Sequence, residues 1–130
     1  MNYNPKLQRY RDALNNIDLA VTALATGLPD IKLRLDAAYH LHLIKLNVDD
    51  FPNELGIQEN FKWVISQLTS AEIPENHKND PLLGNIVYMS LYGKWRKSCC
   101  EIARGIVTIQ AKLEILLKTY DDNPDWMNNK

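Results

Sequence analysis

The sequence contains none of the short patterns that announce a catalytic or phosphate-binding centre: no Gly-rich phosphate loop, no His-Glu-x-x-His and no Gly-x-Ser-x-Gly. It also lacks any run approaching the roughly 18 consecutive apolar residues that a membrane-spanning helix needs. The opening residues, MNYNPKLQRYRD, have no apolar core of the kind a secretory signal carries. A cytoplasmic location without membrane contact is the expectation. Cysteine is confined to Cys99 and Cys100. Neighbours on a helix diverge by about 100°, so a disulfide between them would strain the backbone, and both are read as reduced thiols.

Charge of one sign is missing too. Fifteen basic residues stand against 16 acidic ones, for a formal net charge of −1, so the molecule as a whole attracts neither nucleic acid nor anionic lipid, and any such partner needs a local patch. Histidine is scarce. His40 and His42 are the one close pair of potential metal ligands, but two residues apart on a helix they point about 200° away from each other. His77 falls in a polar stretch. Neither a metal nor a cofactor is expected, and nothing local places an imidazole beside either thiol to make a nucleophile.

What the sequence does have is apolar periodicity. Tyr88, Tyr92, Trp95, Cys99, Ile102, Ile106, Ile109, Leu113, Leu116 and Tyr120 follow one another at alternating spacings of four and three, the pattern of one helical stripe. Asp80-Pro81 supplies a start signal. The spacing therefore predicts a single helix over 81–120, with Gly93 as the likeliest bend. Such a rod is long for 130 residues: its 33-residue stripe would run roughly 50 Å at about 1.5 Å per residue. Trp95 falls on the stripe, and in a core its truncation to alanine would cost about 3–5 kcal/mol.

Three further helices are expected. Leu7, Tyr10, Leu14, Ile17, Val21 and Leu24 define one over 5–26, stopped by Gly27 and Pro29. Asp30 opens a second over 30–46 with two apolar faces: Ile31, Leu35, Ala38, Tyr39 and His42 on one, Leu33, Ala37, Leu41 and Ile44 on the other. Two such faces predict the most enclosed helix of the set. A third, over 53–69, carries Ile57, Phe61, Val64, Ile65 and Leu68 after the turn-forming NVDDFPN. Residues 70–79 read as loop and 121–130 as a frayed tail. The result is an all-α fold, one helical-bundle domain of about four helices with a long C-terminal helix, spanning 1–130.

Function is read from what remains unassigned. Trp63 shares its side of the third helix with Glu59 and Gln67, away from the apolar stripe, and large outward aromatics are enriched at protein interfaces. Trp126, beyond Pro124, poses the same question. Charge is segregated: residues 49–80 sum to −5 and residues 81–118 to +4. The first expectation is a non-catalytic protein–protein interaction module, an accessory subunit, adaptor or inhibitor of a larger complex, with a second copy of itself as one candidate partner. Partner contacts are assigned to Trp63, Glu59, Gln67 and Trp126. An alternative is a nucleic-acid-binding accessory subunit using Lys94, Arg96, Lys97 and Arg104, since cations among aromatics suit phosphates and stacked bases. A thiol-dependent enzyme using Cys100 is the remaining alternative.

Overall fold

A computed structural model of the chain describes residues 4–26, 29–123 and 125. Among these are five α-helices and no strand: α1 (Pro5–Ala25), α2 (Ile31–Leu41), α3 (Ile57–Leu68), α4 (Ile86–Tyr92) and α5 (Arg96–Asp122). Each of the first two starts where a short polar side chain can satisfy the orphan amides of the opening turn. Asn4 Oδ1 accepts from the Lys6 and Leu7 amides at 3.0 and 3.2 Å, and Asp30 Oδ1 accepts from Lys32 N at 2.8 Å. The end of α1 is held from elsewhere, because Arg34 Nη1 donates to the Leu24 carbonyl at 3.0 Å.

The core lies around α5, which packs chiefly on α1 and α3, with α2 against it as well; α4 packs on α2 and α3. Arg11 Nη2 meets Asp121 Oδ1 at 2.7 Å, and Gln110 Nε2 donates to Asp18 Oδ1 at 2.8 Å, which sets α1 and α5 antiparallel. From Cys99 onward the heptad behaves as its spacing predicts: Cys99, Ile102, Ile106, Ile109, Leu113 and Leu116 are buried against Leu7, Tyr10, Ile17 and Leu24 of α1 and Ile57, Phe61, Val64 and Leu68 of α3. Phe51 and Pro52, on the connection into α3, are buried with them.

The expected single rod over 81–120 is not formed. Asp80 does cap a helical start, its Oδ1 accepting from Leu82 N and Leu83 N at 2.8 Å, and those amides hold its carboxyl below the usual range. That turn ends at Gly84, whose missing side chain makes room for the carbonyls of His77, Lys78 and Asp80. Asn85 then caps α4 by accepting from the Val87 and Tyr88 amides at 3.0 and 3.1 Å. After seven residues α4 ends in a turn closed by Lys94 N donating to Leu91 O at 3.0 Å, and Trp95 is extended (φ −66°, ψ 152°) before α5 begins. Lys32 of α2 compensates, since its Nζ donates at 3.0 Å to the Tyr92 carbonyl that the break leaves open. The long helix is thus 27 residues, or about 40 Å.

The second helix is also shorter than its sequence suggests. It stops at Leu41, and a 3-10 turn over Leu43–Lys45 follows. Its second apolar face is not enclosed: Leu33, Leu41 and Ile44 are all exposed. Ahead of α3, Leu55 adopts left-handed backbone (φ 59°, ψ 14°) and is followed by Gly56 at φ 70°. Glycine meets that geometry without cost and leucine does not. Lys112 of α5 locks the pair, donating from Nζ to Leu55 O and Asn60 Oδ1, each at 2.8 Å. Because Leu55 is half exposed and asparagine tolerates this region, Leu55→Asn should raise the free energy of unfolding by about 0.5–1 kcal/mol. Urea denaturation checks it; an unchanged or lower midpoint contradicts the assignment of strain.

Candidate functional site

The break between α4 and α5 makes the most unusual surface on the molecule. A helix running through residues 92–95 would direct Tyr92 and Trp95 inward. The actual turn directs them out, so that Tyr92 is 68% and Trp95 82% exposed, the latter the most exposed of the large apolar side chains among the described residues. Tyr88 stands beside Tyr92, with ring centroids 6.0 Å apart. The corner faces the N-terminal end of α2, and two adjoining cavities lie between them.

One cavity, of about 440 Å³, is lined by Pro29, Asp30, Ile31, Lys32, Lys94, Trp95 and Arg96. The other, about 280 Å³, is lined by Leu33, Tyr88, Leu91 and Tyr92 together with Asp30, Lys32 and Asp36. The first is cationic with an indole at its rim; the second is mainly apolar. Asp30 is engaged in capping α2, and Asp36 lies 3.1 Å from His40 Nε2, so each carboxylate already has a partner. Lys94, Arg96, Lys97 and Arg104, by contrast, pair with no carboxylate among the described residues. The acidic stretch 49–80 and the basic stretch 81–118 pack side by side through α3 and α5, yet no ion pair among the described residues joins them.

No known protein family, curated protein or solved structure matches this chain.

The residues singled out from sequence are distributed unevenly. Lys94 and Arg96 share the cationic cavity, Lys97 is exposed on the first turn of α5, and Arg104 lines a separate groove with Arg34, Cys100 and Val107. Trp95, expected in the core, belongs to the site. Trp63 is only partly an exposed aromatic. It is 43% exposed, and its ring lies over α5 at Gly105, where an added Cβ would stand 3.1 Å from Trp63 Cζ3 and 3.0 Å from Val64 Cγ2. Glu59 is exposed and 3.2 Å from Lys62 Nζ, while Gln67 is half-buried. Trp126 lies outside the described residues, as do Gly27 and Pro124. Sequence reasoning did not reach Lys32 and Tyr92 as site residues. Leu33, read as part of an enclosed face, was the available signal for the apolar cavity.

Among the described residues the remaining titratable groups form no reactive cluster. No three His, Cys, Asp or Glu side chains among the described residues come together as a metal site. His40 Nε2 is 3.2 Å from Asn85 Oδ1, whereas His42 Nδ1 is buried without a partner and burial lowers that ring's pKa. Burial pushes the Cys99 thiol upward. Cys100 is exposed, and the groove it lines contains Arg34 and Arg104 but no imidazole. Iodoacetamide should therefore modify one thiol, Cys100, in the folded protein and the second only after denaturation. Intact mass shows the count, and double modification of the native chain contradicts the burial of Cys99.

Proposed function

We propose that this chain is a non-catalytic helical module that acts by binding another protein, as an accessory subunit, adaptor or inhibitor of a larger assembly in the cytoplasm. The observation that carries the proposal is the outward display of Trp95 and Tyr92 beside an apolar cavity. Tryptophan and tyrosine provide most of the large single-residue contributions at interfaces, where they fill pockets from which water is excluded. Here Trp95 lines the cationic cavity and Tyr92 the apolar one beside it, and Leu33, Leu41 and Ile44 extend apolar surface along α2. Among the described residues no comparable constellation supports chemistry on a small molecule.

Affinity purification from the native host tests this, comparing the wild-type chain with Trp95→Ala. A protein recovered near one-to-one with the wild type and at least about tenfold depleted with the variant supports the reading. Recovery of no stoichiometric partner, or of one indifferent to Trp95, contradicts it. Light scattering on the purified chain covers the case in which the partner is a second copy, for which a closed twofold dimer is the default form.

A second reading has one observation in its favour, the position of exposed Trp95 between Lys94 and Arg96. An unpaired base stacked on the indole would bring its phosphates to those cations. The second cavity weighs against it, since its walls of Leu33, Leu91, Tyr88 and Tyr92 offer a phosphate backbone no cation beyond Lys32, which is committed to the Tyr92 carbonyl. Gel retardation of single-stranded oligonucleotide at two salt concentrations decides between them: binding at low salt that falls steeply as salt rises would establish the nucleic-acid reading.

A further inference from the structure

We infer that the occupant of the corner is an acidic protein segment that presents a large apolar side chain next to its carboxylates. This rests on the reading that the corner binds protein, and it specifies the chemistry of what is bound. The two cavities share Asp30 and Lys32 in their walls, so they are neighbours, and they differ in character. Lys94 and Arg96 meet in one; Leu33, Leu91 and the tyrosine rings surround the other. A single segment entering both must offer negative charge to the first and a greasy side chain to the second.

Charge complementarity fixes the sign. Lys94 and Arg96 find no carboxylate among the described residues, although the chain's own acidic stretch packs nearby through α3. Asp30 offsets only part of this charge, since it lines the first cavity with three cations, Lys32, Lys94 and Arg96. Lys32 is itself committed to the Tyr92 carbonyl, which leaves Lys94 and Arg96 to meet the ligand. Arginine can grip a carboxylate through two parallel hydrogen bonds, a geometry that discriminates among acidic side chains as well as attracting them. Trp95, between these two cations in sequence, supplies a flat apolar wall against which the segment's backbone or its apolar side chain can lie.

The test begins with selection from a random dodecapeptide display library on the immobilised full chain. Enrichment of Asp or Glu adjacent to Trp, Phe or Leu is the expected result; enrichment of basic or uncharged peptides, or no enrichment, overturns the inference. The best peptide is then titrated against four proteins: wild type, the Lys94→Glu/Arg96→Glu double variant, Trp95→Ala, and Lys118→Glu near the far end of α5. Both corner variants should weaken binding at least about tenfold and Lys118→Glu should leave it unchanged. Raising salt should weaken the wild-type complex while scarcely affecting the charge-reversed one. Circular dichroism checks that each variant keeps the wild-type helical fold.

Failure of this inference is distinguishable from failure of the broader reading. A stoichiometric cellular partner that requires Trp95 but ignores the charge-reversed pair overturns the acidic segment and leaves protein binding standing. Oligo(dT) that binds the wild type, competes with no peptide and is lost with Lys94→Glu/Arg96→Glu overturns both.

Discussion

Phe51→Ala should remove about 3–5 kcal/mol from the free energy of unfolding, the usual range for truncating a fully enclosed aromatic ring. Phe51 is 1% exposed, and its ring centroid lies 4.6 Å from that of Phe61 on α3. Its carbonyl accepts from Gln58 Nε2 at 2.9 Å, so the loop backbone and the first turn of α3 are tied together at the same point. Nothing adjacent can collapse into the space easily, because Ile57 and Val64 are themselves fully buried on a regular helix. Set against a total stability of about 5–15 kcal/mol for an ordinary domain, the loss is large enough to unfold part of the population at physiological temperature. Urea denaturation followed by circular dichroism measures it. A loss below about 1 kcal/mol would mean that the 48–53 connection is peripheral to the core.

Gly105→Leu is expected to cost up to about 3 kcal/mol, in the opposite way, by overfilling. The helices α3 and α5 touch through Gly105, and even a methyl group there would sit tighter against Val64 and the Trp63 ring than ordinary contacts allow. Leucine is a better helix former than glycine by about 0.8–1 kcal/mol, which offsets part of the loss. Gly105→Ala therefore serves as the internal control: its propensity gain nearly balances a displacement of the half-exposed Trp63 by a few tenths of an ångström. Tryptophan emission should shift to longer wavelength with the leucine variant as Trp63 is lifted into water. If leucine is as stable as the native residue, the close approach of the two helices is incorrect.

Much of the fold was readable from periodicity, because α1, α3 and most of α5 each bury one stripe and continue unbroken while doing so. The break at Gly93–Trp95 was not. A heptad states which residues share a face if the helix continues, and says nothing about whether it does. Gly93 marked the weak point, but the group that makes the break affordable is Lys32, sixty positions away, which no local window contains. The same logic explains α2: Leu33, Leu41 and Ile44 have the spacing of a buried face, yet no further element among the described residues covers them. Phe51 erred in the other direction. Within NVDDFPN it reads as part of a turn, and only the tertiary arrangement places it beneath α3.

The candidate site shows the same division. Its cations Lys94 and Arg96 stand out as a patch in the sequence, whereas the heptad points Trp95 inward with the isoleucines that follow it. Trp63, the aromatic that the sequence nominated for a partner, turned out to be shared between solvent and the α3–α5 contact. Side-chain type was thus informative about what a surface could bind, and side-chain direction became available only with the helix ends.

The measurement that bears most directly on the account is the unfolding free energy of Trp95→Ala. A ring displayed to solvent for a partner contributes little to the isolated chain, so the variant should match the wild type within about 0.5 kcal/mol. A loss of about 3 kcal/mol or more would return Trp95 to the core, restore a continuous helix through residues 93–95, and remove the surface on which the proposed binding depends.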